Sequence, residues 1–279
     1  MPRRFRKLLQ VLACCLAPAT ASAVPQPAPC DYTELNIPPN PGMLSKTESD
    51  APRPDLSSDA AKKALSEYLA LAATAHTHDP ANLCYYRKAN QTAHHIETVF
   101  MGDSITYIWG DAEPDFFTPN RANRGIDGQT SALMLIRFRA DVISLHPRVV
   151  HILAGTNDLR RAVIELGATE DNLASMIDLA EAHDIAVILA TIPPPDGLHP
   201  ENPAIAPATK TLNQWIRATA VARHLPIADY ERALEDKSGN FDPSLTFDGT
   251  HPNLQGFSIM RALLLPLLYK ATEPHAAPH

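Results

Sequence analysis

Long apolar runs are missing from this sequence of 279 residues. After the N-terminus no segment approaches the about 20 apolar residues that a membrane-crossing helix requires, so no integral membrane span is expected. Basic residues are in deficit: 24 Lys and Arg stand against 31 Asp and Glu, a formal net charge of -7. That balance argues against nucleic acid as a partner, because a phosphate backbone calls for a Lys/Arg surplus gathered on one face. Cysteine is scarce, with four residues in the whole chain. His94-His95 and His76-x-His78 are the nearest approach to a metal site, and neither has carboxylate or cysteine companions at ligand spacing. Neither metal nor cofactor is called for. What is present is an ordinary globular composition, 45% hydrophobic and 20% charged. The length suits one sizeable α/β domain with an extension.

The first 23 residues differ from the rest. Arg3, Arg4, Arg6 and Lys7 precede an apolar run from Leu8 to Leu16, and Ala21-Ser22-Ala23 supplies the small-x-small pattern of a cleavage site. This reads as a secretory signal ending at Ala23, and a secreted or periplasmic protein; a lipoprotein site at Cys14 is the alternative. Cleavage at Ala23 leaves Cys30 and Cys84. In an oxidising compartment these two either pair as one disulfide or remain free thiols.

Residues 24 to about 58 are rich in Pro, Ser and Asp without a hydrophobic period and read as an irregular arm. From Asp59, the positions Ala61, Ala64, Leu65, Tyr68, Leu69 and Ala72 predict an amphipathic helix, with a second short one over Leu83 to Ala89. After His95 the pattern alternates. Strands are expected at 98–101, 149–153, 185–192 and 225–228. Helical spacing follows Ser131 through Leu133, Ile136 and Leu145. Further helices run through Leu173, Met176, Ile177 and Ala180, with Glu170 and Asp171 in the first turn; through Leu212, Trp215 and Ile216; and through Phe257, Met260 and Leu264, where Pro266 should kink or end the helix. Repeated strand-helix-strand units imply an α/β fold with a parallel sheet covered on both sides. Functional groups should then gather at the carboxyl ends of its strands.

Four short motifs fall at such ends. Gly102-Asp103-Ser104-Ile105 follows the first strand, where Ser104 can face a substrate or merely cap a helix. In Asn123-Arg124-Gly125-Ile126-Asp127-Gly128-Gln129-Thr130, the glycines suit a turn, or let Gly128 bring its N–H up to a reacting carbonyl. Gly155-Thr156-Asn157-Asp158 offers the Asn157 amide to the same point, or closes a turn. Asp248-Gly249-Thr250-His251 precedes Pro252 at an expected helix start. Its spacing of three lets the carboxylate hold Nδ1–H and free Nε2 to take a proton; the bland alternative is a solvated surface histidine.

Taken together and in this order, the four blocks resemble the signature blocks of the SGNH/GDSL hydrolases, over about residues 96 to 270. The resemblance implies a flavodoxin-like three-layer α/β/α fold. It implies Ser104 as nucleophile, His251 as general base and Asp248 as its orienting partner. An oxyanion hole would come from the Ser104 N–H, the Gly128 N–H and the Asn157 side chain. Ile105 stands where the name-giving motif has leucine, and Asp127 is an unexpected acid that would disfavour a nearby anionic substrate unless it faces solvent. Chemically, a serine hydroxyl needs a base to take its proton as the bond forms, and preorganised donors must stabilise the resulting oxyanion.

The chain therefore divides into a signal peptide (1–23), an N-terminal arm and helical extension (24–95), a hydrolase domain (96–272) and a tail (273–279). The expected activity is hydrolysis of carboxylic esters through an acyl-serine, on a small-molecule or glycan substrate, with acetyl esters of carbohydrates favoured. Lysophospholipase, lipase or thioesterase activity on the same fold, or a secreted binding protein without catalysis, are the alternatives. His151, inside an apolar strand, reads as a hydrogen-bonded core histidine. Trp109 suits either the acyl pocket or helix packing. Pro193-Pro194-Pro195 suits either the substrate mouth or a rigid connector.

Overall fold

The computed structural model describes residues 79–161, 165–195 and 205–272, together with Asp59, Lys62, Lys63 and Ser66. The expected leader with Cys14, the arm with Cys30, His76, His78, the apolar face of the helix read from Asp59, and the tail 273–279 lie outside the described residues.

Five parallel strands form one sheet, in the order β2-β1-β3-β4-β5. They are β1 (Thr98–Gly102), β2 (Arg121–Gly125), β3 (Val149–Leu153), β4 (Ala186–Ala190) and β5 (Ile227–Ala228). β1 lies between β2 and β3, pairing Phe100 with Asn123 on one side and with His151 on the other. Val99, Phe100, Met101, Val150 and Ile152 are all fully buried, as continuous apolar strands covered on both faces must be. Each such side chain contributes about 1.5–3 kcal/mol through removal from water.

Helices form the two outer layers. On one face lie α3 (Ser131–Asp141), α5 (Leu166–Glu181) and α6 (Ile205–Ala222), packed side by side. On the other, α2 (Ser104–Ala112) and α8 (Leu254–Thr272) cover the sheet. The described residues also include the short helices α1 (Arg87–Thr92), α4 (Thr156–Arg161) and α7 (Tyr230–Leu234), with α1 packed on α3. This is the three-layer α/β/α arrangement, and the order 2-1-3-4-5 is the flavodoxin-like one.

Several expectations need correction. The sequence pattern does not mark β2 as a strand, because Arg121-Ala122-Asn123-Arg124-Gly125 has one apolar side chain and lies at the sheet edge. The helix after Ser131 turns Ile136 outward, 58% exposed, and buries Arg137 and Asp141 instead. Helix α5 starts at Leu166, so Glu170 and Asp171 fall beyond its first turn. Helix α1 runs over Arg87–Thr92 rather than 83–89, since the Asp79 carboxylate takes the Cys84 N–H at 2.8 Å and shapes turns first. Pro266 does not end α8: it and Ala262, whose carbonyl it leaves without a helical donor, both face solvent. Trp109 is fully buried against Phe116 and Phe257 and is a packing residue. His151 is the core histidine expected, 3.0 Å from the Tyr230 hydroxyl, and burial pushes its imidazole down to about 3. Cys84 is disulfide-bonded.

Candidate active site

β1 ends at Gly102 and α2 begins at Ser104, leaving Asp103 to make the turn between them. Asp103 Oδ1 accepts the Ile105 N–H at 2.9 Å and caps the helix. Ser104 thus stands in the first turn of α2, where helical N–H groups have no partner within the helix. Gly125 lets the end of β2 press against this turn; a Cβ there would meet the Tyr107 nitrogen at 2.2 Å.

The loop before α8 returns to the same strand ends. His251 Nε2 lies 2.8 Å from Ser104 Oγ, and His251 Nδ1 lies 2.8 Å from Asp248 Oδ2. Asp248 Oδ1 also accepts the backbone N–H groups of Thr250 and His251, at 3.0 and 2.9 Å. Burial alone would raise the Asp248 carboxyl. The His251 hydrogen bond and charge, with the two backbone donors, outweigh it and hold the group well below the usual carboxylate range. A carboxylate kept ionised only accepts, so Nδ1 carries the imidazole proton and Nε2 faces the Ser104 hydroxyl as acceptor. Thr246 closes the loop: its Oγ1 donates to the His251 carbonyl at 2.7 Å and accepts the Gly249 N–H at 2.9 Å.

Of the other two predicted contributors, Asn157 reaches Asp103, next to Ser104, and Gly128 precedes Gln129, which Asn157 contacts. Gly128 adopts φ +69°, a left-handed conformation that favours glycine. Asn157 Nδ2 donates to the Gln129 carbonyl at 3.1 Å and reaches Asp103 Oδ2 at 3.4 Å. The second contact is long and correspondingly weak. Asp158 anchors the loop behind them, accepting the Ser131 N–H at 2.9 Å and the Ser131 hydroxyl. Asp127 is half-buried and adds to the charge felt by Asp103.

Residues 100–259 match the GDSL-like Lipase/Acylhydrolase family. The chain belongs to that family. A GDSL-like lipase from Bacteroides thetaiotaomicron is 37% identical, with 68% of this chain covering 98% of that one at a TM-score of 0.65. A candidate acylhydrolase from Bacteroides fragilis is 36% identical over 68% of this chain and 97% of its own, also at 0.65. An acetylxylan esterase from Geobacillus stearothermophilus shares the fold at 20% identity, 62% and 94% coverage and a TM-score of 0.52. A search of curated proteins finds no match.

In this GDSL-like acylhydrolase a cleft of about 340 Å³, counting its open mouth, adjoins the Asp248–His251 loop. Gly249 and Thr250 form one side and Pro193, Pro194 and Pro195 another, so the proline run borders the cleft. Arg160 reaches across it to the Thr250 hydroxyl. Three contributors escape sequence reading: Phe247, stacked on His251; Arg137, buried beneath the strand ends; and Gln129, buried beside Gly128. Phe247 adjoins Asp248 and Gln129 adjoins Gly128 in sequence, which is the available clue; Arg137 offers none. Among the described residues no helix is long and apolar enough to cross a membrane.

Proposed function

We propose that this chain is a secreted serine esterase, in which Ser104 attacks the acyl carbon of an ester while His251 takes its proton. The observation that carries the reading is the unbroken row from Ser104 Oγ to His251 to Asp248, with 2.8 Å at each step. As the Oγ–C bond forms, Nε2 becomes protonated, and Asp248 stabilises the imidazolium through Nδ1–H. The carbonyl oxygen gathers negative charge toward the Ser104 and Gly128 N–H groups and the Asn157 amide. Losing one such donor costs about 3–4 kcal/mol of barrier. His251 then returns its proton to the departing alkoxide, and water hydrolyses the acyl-serine by the same steps in reverse order.

The favoured substrates are small acyl esters of carbohydrates, acetyl above all. The N-terminal pattern of a secretory signal supports this. The Geobacillus stearothermophilus protein that shares this fold is an acetylxylan esterase. The test is reaction of the purified protein with a fluorophosphonate, with the adduct located by peptide mass, followed by turnover of acetyl, octanoyl and lysophospholipid esters. Labelling at Ser104 and preference for acetyl are expected. A marked preference for long chains would overturn the acetyl assignment, and absence of labelling would overturn the nucleophile.

A further inference from the structure

The segment 79–92 precedes the residues matched by the family, 100–259, yet it closes directly onto the loop that carries Gly128. Gln129 Nε2, fully buried, donates to the Ala81 carbonyl at 2.9 Å. The Tyr86 hydroxyl donates to the Gly125 carbonyl. Asn90 Oδ1 accepts Arg124 Nε at 2.9 Å. Beneath these contacts lies Arg137, with no exposure. Its Nη2 donates both to the Gly102 carbonyl at 3.0 Å and to the Arg124 carbonyl at 2.8 Å. Its Nε donates to Gln129 Oε1. One guanidinium therefore ties the end of β1, two residues before Ser104, to the end of β2 and to the side chain that meets Ala81. The Gln129 carbonyl in turn receives the Asn157 amide.

An oxyanion hole works only if its donors are in place before charge develops, since a donor that must be reoriented during reaction gives back what it gains. The loop 125–130 is tied to the end of β1 by the Ile126 N–H on the Gly102 carbonyl at 3.2 Å. Its internal backbone link, Gln129 N–H to the Ile126 carbonyl, is long at 3.3 Å, and two of its residues are glycines. We propose that the segment 79–92 is a brace for the oxyanion hole, with Gln129, Arg137 and Tyr86 as positioning residues that set Gly128 and Asn157 against Ser104. None of the three touches the substrate. This role rests on the esterase reading given above.

The test uses the full-length protein with two substitutions. Gln129→Glu keeps an acceptor for Arg137 Nε but turns a carboxylate oxygen toward the Ala81 carbonyl in place of the amide donor. Tyr86→Phe deletes the hydroxyl that meets Gly125. Turnover of p-nitrophenyl acetate and amide hydrogen exchange over 126–130 are measured, with the folded fraction checked at the assay temperature. The expected result is a fall in kcat of about tenfold for Gln129→Glu and a few-fold for Tyr86→Phe, with KM within about twofold. Exchange over 126–130 should quicken in both. Unchanged kcat in the folded variants, or a loss of activity that follows only the unfolded fraction while exchange stays at the wild-type rate, overturns the brace. A wild-type protein that neither hydrolyses the ester nor reacts with a fluorophosphonate overturns the esterase reading instead.

Discussion

Phe247 stacks on His251 with a lateral offset, ring planes 12° apart and centroids 5.5 Å apart. The imidazole is thereby clamped on its flat side as well as along its edge, where Asp248 holds Nδ1. A stack of this kind fixes ring orientation without competing for either nitrogen, and is worth about 0.5–1.5 kcal/mol beyond area burial. Phe247→Ala should lower kcat about three- to tenfold with little change in KM, whereas Phe247→Tyr should stay near wild type. Steady-state kinetics of the pair check this; equal rates in all three proteins would remove the clamp from the account.

Ser104→Ala should leave the fold intact and reduce hydrolysis by at least about a thousandfold, because the oxygen proposed to attack the ester is gone. Asp248→Asn should also be severely impaired: an amide in place of the carboxylate favours the wrong imidazole tautomer, an effect that reaches about 10⁴ elsewhere. Circular dichroism alongside rate measurements separates lost chemistry from lost structure. Wild-type turnover in Ser104→Ala would exclude the assigned nucleophile.

Burial pushes the Asp103 carboxyl up to about 7, against the Ile105 N–H and His251, which pull it down. Between the ordinary carboxylate value of 3.8 and 7 the folded chain keeps this proton while the unfolded chain has lost it. The contribution of Asp103 to stability therefore declines as pH rises, by about 1.4 kcal/mol per pH unit in that window, and levels off above it. Asp103→Asn retains an oxygen for the Ile105 cap and removes the titration. Urea unfolding at several pH values from 4 to 7 should show a slope less negative than wild type by about that amount. Parallel slopes would show that Asp103 ionises normally.

Arg137 and Asp141 pair at 2.9 Å with neither side chain exposed. Arg137→Met would strand the carboxylate and leave the Gly102 and Arg124 carbonyls without their shared donor, at a cost of about 3–5 kcal/mol. The double substitution Arg137→Met with Asp141→Leu should recover part of that loss, since no charge is then buried alone. Denaturant unfolding of the single and double variants measures the difference; a single-variant loss under about 1 kcal/mol would contradict the picture.

The alternation of buried strands with amphipathic helices was legible because β1 and β3 are apolar apart from Thr98 and His151, and α5, α6 and α8 repeat their apolar residues at helical spacing. β2 was not legible. An edge strand rich in polar residues carries no period of its own, and it becomes a strand because β1 offers it a ladder. Ile136 misled for the opposite reason: helical spacing names a stripe but cannot say that a buried Arg137–Asp141 pair outranks it.

Local chemistry decided which residues carry the functional groups. A strand end followed by Asp103 and Ser104, a glycine at a left-handed turn, and a carboxylate three residues from a histidine are each written in a few adjacent letters. Tertiary structure decided that Ser104 and His251, 147 residues apart, meet at 2.8 Å. It also decided that a segment outside the family match closes on the same loop. Hydrogen bonds within a turn depend on neighbours in the chain. Contacts between turns depend on how the parallel sheet aligns its strand ends, and that is settled only when the whole core is buried.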